Sequence, residues 1–168
     1  MSGKIAALVF AVFALAGSYV LHYYLPRTAT VTVTGLDAKR AEGIPARSDT
    51  VAVQPLDVYF LYVNNADGKP QIYRNANTAW GWPPYFKFGA ADLQAKAQSL
   101  TGQPAVIRYY GWRIKLLNMF PNITSMEAYS ADISLTPWAR YVGFGIWGFL
   151  LILVFPHYLG IFMRGKDE

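Results

Sequence analysis

Hydrophobic residues are concentrated in two long runs, one at each end of the chain. Ile5–Leu25 opens the sequence and Trp138–Met163 closes it, whereas the residues between them are polar and rich in aromatic side chains. Each run is long enough for a helix across the roughly 30 Å hydrocarbon core of a bilayer, which takes about 20 residues. The pattern predicts the following division: an N-terminal transmembrane helix in 1–25, an extramembrane β-rich domain in 26–137, a C-terminal transmembrane helix in 138–163 and a cytoplasmic tail in 164–168.

The first run begins like a secretory signal, with Lys4 before the apolar stretch and a small-residue pattern at Ala14–Ala16. The apolar run continues to Leu25, which is longer than the hydrophobic region of a cleaved signal, so we interpret it as an uncleaved signal anchor. Positive charges favour the cytoplasmic side of a membrane. Because Lys4, Arg164 and Lys166 flank the two runs, both termini are expected in the cytoplasm and the central domain outside it.

Small residues form a stripe on each apolar run. Residues at i, i+4, i+7 and i+11 share one face of a helix, and small side chains let helices approach closely in lipid. Two interpretations remain open: the stripes pack the two helices against each other, or one of them docks a helix of a partner. The candidate helix-packing residues are Ala7, Ala11, Ala14, Ser18, Ala139, Gly143, Gly145 and Gly148.

Within the central domain, alternating β-branched residues predict strands. Thr28–Thr34 is predicted to form a strand that ends at Gly35, followed by an exposed loop over Leu36–Ser48. Asn64–Gly68 has turn chemistry, which predicts a hairpin. The other predicted strands are Thr50–Gln54, Asp57–Val63, Gln71–Arg74, Ala105–Tyr110, Arg113–Leu117 and Asn122–Met126.

One segment of the domain has a helical composition. Ala90–Leu100 is rich in Ala, Gln, Lys and Leu, and Gly102 suits a cap after its C-terminus. Strands around one short helix predict a small, mainly antiparallel β barrel or sandwich of OB-like size. The predicted fold class is therefore a membrane α protein with a small β domain between its two terminal helices.

Aromatic residues are clustered at two places in the domain. Trp80–Phe88 holds five aromatic residues in nine positions, and Tyr109–Arg113 adds a second group at the end of a predicted strand. Three interpretations are open: a domain core with a loop on the membrane surface, a contact for a protein partner, or a cleft for a lipid, quinone or glycan. The candidate partner or lipid contacts are Trp80, Trp82, Tyr85, Phe86, Trp112 and Arg113.

Four segments of the domain resemble a family of bacterial membrane proteins, domain-of-unknown-function family 1523. They are Tyr73–Trp80, Phe88–Lys96, Tyr110–Arg113 and Phe120–Ile123. The resemblance implies a small β-rich envelope domain with an anchor at each end and a bacterial source. Together with the orientation expected from the positive charges, this predicts a bacterial inner-membrane protein with its central domain in the periplasm. The resemblance implies no catalytic residue, because the family has none assigned.

The amino-acid composition excludes several kinds of catalytic, cofactor-binding and metal-binding site. The chain has no cysteine, which excludes disulfides, thiolate zinc sites and covalent haem attachment. The central domain has no histidine, and its carboxylates are scattered, so no catalytic, cofactor-binding or metal-binding residue is predicted. The net charge of +5 is spread along the chain rather than clustered, which argues against nucleic acid as a partner.

These patterns favour a non-catalytic accessory, assembly or stabilising subunit of a larger inner-membrane complex, of respiratory or photosynthetic type. Its expected partners are membrane lipids and other integral membrane proteins. The alternative is an envelope sensor or ligand-binding module that uses an aromatic cleft. A third reading, an enzyme, requires residues such as Arg113, Lys115, Asp92 or Glu127 to converge in one polar cleft.

Overall fold

The computed structural model describes residues 3–40 and 57–164. The chain divides into two compact units, one formed by Arg27–Thr136 and the other by the segments on either side of it. The elements in chain order are α1 (Gly3–Tyr24), β1 (Arg27–Arg40), β2 (Asp57–Asn65), β3 (Pro70–Asn75), α2 (Ala90–Ser99), β4 (Pro104–Tyr110), β5 (Asn122–Ala128) and α3 (Trp138–Arg164).

The five strands form a closed barrel in the order β1-β2-β3-β5-β4. All neighbouring strands are antiparallel except β3 and β5, which run parallel and are joined at one residue pair, Arg74 and Asn122. Of the two predicted alternatives, a small barrel or a sandwich, the structure has the barrel, and the predicted short helix is α2. The predicted hairpin at Asn64–Gly68 is also present, because the amide of Gly68 donates to the carbonyl of Asn65 at 2.9 Å.

Strand β1 is longer than predicted. Its first half pairs with β4 and its second half with β2, and the register shifts between Val33 and Gly35. A bulge of this kind bends a strand without ending it. The prediction that the strand ends at Gly35 is therefore wrong, and so is a loop over residues 36–40. The remainder of that loop and the predicted strand Thr50–Gln54 lie outside the described residues.

The predicted strand Arg113–Leu117 is wrong as well. Ile114 and Met119 exchange two backbone hydrogen bonds of 3.2 and 3.1 Å, and the chain reverses between them. Asn118 makes this reversal in the left-handed region, with φ of 50°. The apolar side chains at the turn are exposed, Leu116 at 94% and Leu117 at 63%, so they take no part in a sheet.

The barrel core is built from inward-facing residues of all five strands and from α2. Ala97 and Leu100 bring the helix against this core, and partly buried Leu93 packs beside them. Gly102 follows the helix with φ of 79°, and its amide donates to the carbonyl of Val33 at 2.8 Å. The core strand residues are Val31, Val33, Leu61, Val63, Tyr73, Ala105, Ile107, Ile123 and Met126.

Helices α1 and α3 form the second unit. Nε1 of Trp147 donates to Oγ of Ser18 at 3.1 Å, and that hydroxyl donates to the carbonyl of Ala14 at 2.7 Å. A Cβ added to Gly17 would lie 2.2 Å from the Trp147 ring, and one on Gly143 would meet Leu25. Of the small-residue candidates, Ser18 and Gly143 are thus in the helix contact. Those that are exposed are Ala7, Ala11, Ala139 and Gly145.

Both helices are long and apolar enough to cross a membrane, over Lys4–Tyr24 and Trp138–Pro156, and almost none of their residues is buried. A core helix of the same length would be mostly buried. Their outer surfaces are therefore apolar and open.

Candidate functional site

A cleft of ≈ 590 Å³ opens on the barrel, which is within the usual range for small-molecule sites. Its walls come from β1 to β4 and from the segment that joins β4 to β5. We call it the basic cleft. Its cationic and aromatic lining residues are Arg27, Arg113, Lys115, Tyr62, Tyr73, Tyr109 and Trp112.

The charge of the basic cleft has one sign. Arg27, Arg113 and Lys115 contribute three cations, and no Asp or Glu lines the cleft within the described part of the chain. The sequence from Thr101 to Met126 also lacks acidic residues. A concave surface with charges of one sign concentrates the field and attracts counter-ions. The cleft is therefore suited to an anion.

Tyr73 is the most buried of the aromatic residues that line the basic cleft. It is 2% exposed, its hydroxyl donates to Oε1 of Gln71 at 2.8 Å, and its ring meets Tyr109 edge-on at 4.9 Å. Burial, followed by the proximity of Tyr109, holds the pKa of Tyr73 well above its usual range, while Arg27 acts in the opposite direction. The phenol therefore stays protonated and neutral, and its proton is donated to Gln71.

Arg113 is held in place by the turn that follows it. Nη1 donates to the carbonyl of Met119 at 2.9 Å, and the guanidinium lies 3.9 Å from the ring centroid of Phe120. A guanidinium carries five N–H donors, so this arrangement leaves donors for a planar anion. The turn thus fixes a cation at the rim of the basic cleft before any ligand arrives.

The loop between β3 and α2 carries a second feature, an exposed aromatic cluster of Trp80, Phe86 and Phe88. Trp80 is 82% exposed and contacts Phe86 and Phe88 edge-on at 5.7 and 5.3 Å. Phe86 has φ of 49°, a conformation that is costly for a bulky side chain. Strained residues persist where surrounding structure holds them and are concentrated at functional sites.

Lys87 holds this loop against the barrel. Its Nζ donates to Oδ1 of Asn75 at 2.5 Å and to the carbonyl of Ile123 at 2.6 Å. Burial lowers the pKa of Lys87 to about 8. Lys87 is 8% exposed, whereas its neighbours Phe86 and Phe88 are 54% and 53% exposed, so the loop turns its lysine towards the barrel and its two rings outwards.

Asn122 completes the junction between β3 and β5. Its Oδ1 accepts from the amide of Ala76 at 2.9 Å, and its Nδ2 donates to the carbonyl of Ala76 at 3.2 Å and to the hydroxyl of Tyr110 at 3.1 Å. Tyr110 in turn stacks on Tyr85 at 4.8 Å, and burial raises the pKa of Tyr85 to about 12. β3 and β5 are joined by one backbone pair only, and the side chain of Asn122 supplies further hydrogen bonds between the two segments.

The six aromatic and basic candidates fall into different environments. Trp112 and Arg113 line the basic cleft, whereas Trp80 and Phe86 belong to the aromatic cluster. Tyr85 is half-buried against Tyr110, and Trp82 is 71% exposed.

Sequence reasoning missed the lining residues Arg27, Tyr62 and Tyr73 and the buried Lys87, and it placed Tyr109 in an aromatic group without naming it as a contact. A lone lysine inside an aromatic run was the only sequence signal for Lys87. Arg27 and Tyr109 become neighbours only through the pairing of β1 with β4.

The residues named for an enzyme do not converge. Arg113 and Lys115 line the basic cleft, but Asp92 lies in the first turn of α2, and Glu127 pairs with Arg108 at 3.7 Å. Within residues 3–40 and 57–164, no group of three or more His, Cys, Asp or Glu side chains could hold a metal ion.

The family model described as "Protein of unknown function (DUF1523)" matches residues 3–161, and the chain belongs to this family. A relative from Haemophilus influenzae, described as an uncharacterized protein, is 39% identical over 140 residues, which cover 81% of this chain and 79% of that protein.

Two solved structures of mutant PltB homopentamers from Salmonella typhi are weakly similar, and the second contains Neu5Ac-alpha-2-3-Gal-beta-1-4-GlcNAc glycans. Their identities are 16% and 15% and their TM-scores 0.40 and 0.41, with 63% of this chain and 85% of theirs covered.

Proposed function

We propose that this member of the DUF1523 family is a membrane-anchored binding module whose basic cleft takes a small anionic ligand. The observation that carries the proposal is the lining of the cleft, where Arg27, Arg113 and Lys115 lie among aromatic rings. Cations with several N–H donors bind phosphate and carboxylate groups, while aromatic rings contact the apolar part of a ligand.

Anchoring by α1 and α3 is part of the proposal. Its support is the length and apolar surface of the two helices, together with aromatic residues near the ends that would adjoin the domain. These residues are Tyr19, Tyr23, Tyr24, Trp138 and Tyr141. The positive residues Lys4, Arg164 and Lys166 support cytoplasmic termini and a periplasmic domain in a bacterial inner membrane.

We propose binding rather than catalysis as the role of the cleft. Acid–base catalysis commonly uses His, Asp or Glu beside the reacting group. The described lining residues supply cations, phenols and an indole instead. Such a set can hold an anion in place, and the described lining contains no carboxylate or imidazole.

The intrinsic fluorescence of Trp112 tests the proposal. The full chain in neutral detergent is titrated with glycerol phosphate and, at matched ionic strength, with glycerol. We expect a saturable change with the phosphate alone, lost in Trp112→Phe and kept in Trp138→Phe, which alters a residue outside the cleft. The absence of a saturable, phosphate-dependent change would overturn the proposal.

A second function is favoured by the aromatic cluster, namely that of an accessory subunit in a larger inner-membrane complex. Trp80, Phe86 and Phe88 are each more than half exposed, yet Lys87 fixes the loop that carries them. Exposed Trp and other aromatic residues on a fixed backbone are typical of contacts with protein partners. Respiratory or photosynthetic assemblies are suitable hosts for a protein of this layout.

Purification in mild detergent followed by mass spectrometry tests this second function. We expect a stoichiometric integral membrane protein to accompany the wild type and to be lost in Trp80→Ser. The exposed Tyr129→Ser variant, which alters a residue outside the cluster, should keep it. A monodisperse wild-type protein without a partner would contradict this function.

A further inference from the structure

We infer that the ligand of the basic cleft is the headgroup of an anionic phospholipid, and that Leu116 and Leu117 insert into the same bilayer beside it. The inference rests on the proposed function, because it names the source of the anion. The juxtaposition that carries it is an exposed apolar turn, preceded in the chain by Arg113 and Lys115, beside a basic cleft whose lining also includes Arg27, three residues after the end of α1.

The turn presents its apolar residues outwards. Leu116 is 94% exposed and Leu117 is 63% exposed, although leucine is usually buried in a small domain. We call the pair the leucine tip. Backbone hydrogen bonds between Ile114 and Met119 and the left-handed Asn118 hold this conformation. The leucine tip is thus a fixed feature of the fold.

Cations adjoin the leucine tip on its N-terminal side. Lys115 directly precedes Leu116 and lines the basic cleft, and Arg113 lies two residues earlier in the same lining. Apolar side chains that enter the acyl region, next to cations that bind headgroup phosphates, are characteristic of segments that lie at a membrane surface. A soluble anion would account for the cations but not for the two exposed leucines.

Only a short segment of chain separates α1 from the first residue of the basic cleft. Arg27 lines the same cleft as Lys115 and follows Tyr24, the last residue of α1, by three residues. Three residues span at most about 10 Å. If α1 crosses the bilayer, a residue of the cleft therefore lies close to the membrane surface, where phospholipid headgroups present phosphate groups.

Labelling at the leucine tip tests the inference, since the chain has no cysteine of its own. Full-length Leu116→Cys carries an environment-sensitive fluorophore and is reconstituted into phosphatidylglycerol-containing vesicles or pure phosphatidylcholine vesicles. Lipids with a quencher in the acyl chain then report insertion. Gln98→Cys, on the exposed surface of α2, is the matched control.

We expect several-fold stronger quenching at position 116 than at position 98 in the anionic vesicles, and weaker quenching at position 116 in phosphatidylcholine. Adding Lys115→Gln should reduce the anionic signal to the phosphatidylcholine value, whereas adding Lys96→Gln, an exposed lysine of α2, should not.

Two results would overturn the inference. Equal quenching at position 116 in anionic and neutral vesicles would show that the leucines insert into the bilayer but that the cleft does not recognise an anionic headgroup. An unquenched tip would mean that the two leucines contact something other than lipid, such as a protein partner. If Trp112 still responds to glycerol phosphate in that case, the proposed function survives with a soluble ligand; if it does not, both are overturned.

Discussion

Lys87 donates a hydrogen bond from Nζ to Oδ1 of Asn75 in β3, and both side chains are buried. The same nitrogen donates to the carbonyl of Ile123, so one side chain ties the loop to both β3 and β5. These are the strands joined by a single backbone pair. The hydrogen bonds of Lys87 therefore help to hold β3 and β5 together where the barrel closes, and they also fix the loop that carries the aromatic cluster.

Stability should rise with pH because of Lys87. Burial lowers its pKa to about 8, from an ordinary value of 10.5, so the unfolded chain binds this proton more tightly between those values. The free energy of unfolding should then increase by about 2 kcal/mol from pH 8 to pH 10. Tyr73 and Tyr85, whose pKa values are raised, begin to lower stability as the pH approaches 10, the ordinary pKa of tyrosine, and so offset part of this increase at the upper end of the range.

Denaturant unfolding of the full chain at pH 8, 9 and 10 measures this effect. Lys87→Met should remove most of the increase, and Lys96→Met, which changes an exposed lysine, should keep it. A wild-type stability that is flat or falls across this range would contradict the assignment of a buried, desolvated ammonium.

Replacing Gly17 by a larger residue should weaken the contact between α1 and α3, whereas the same replacement at Gly145 should not. A side chain at Gly17 would overlap the Trp147 ring, whereas the space around Gly145 is open. We expect Gly17→Leu to lower the melting temperature in mild detergent and to change the emission of Trp147, with Gly145→Leu as the neutral control. Equal behaviour of the two variants would contradict the packing of Trp147 over Gly17.

Phe86→Asn should stabilise the protein while removing part of the aromatic cluster. Asn adopts the left-handed conformation more readily than Phe, so the variant should gain up to about 1 kcal/mol in free energy of unfolding. If the cluster contacts a partner, the same variant should lose the co-purifying protein. A destabilised variant would show that the ring contact with Trp80 outweighs the backbone strain.

The alternating pattern was sufficient to predict the barrel strands because their inward positions are apolar. It failed where the chain departs from regular pairing. At Gly35 the chain forms a bulge and β1 continues in the sheet, and glycine inside a strand often marks such a bulge. In Arg113–Leu117, apolar residues suggested a strand, but Asn118 turns the chain back and leaves the leucines exposed.

The basic cleft could be predicted only in part. Trp112 and Arg113 were found because aromatic and basic residues are adjacent there in the sequence. Arg27 and Tyr73 come from distant strands and meet in the cleft only when the barrel closes, which no local pattern encodes. The aromatic cluster was predictable from its composition, but its anchor Lys87 needed the positions of Asn75 and Ile123.

The central claim, that the basic cleft binds an anion, is tested most directly by calorimetric titration of the full chain with glycerol phosphate in neutral detergent. We predict saturable binding at one site, weakened about tenfold in Lys115→Gln, which corresponds to about 1.4 kcal/mol, and unchanged in Lys96→Gln. Undetectable binding, or equal affinity in the wild type and both variants, would contradict the claim.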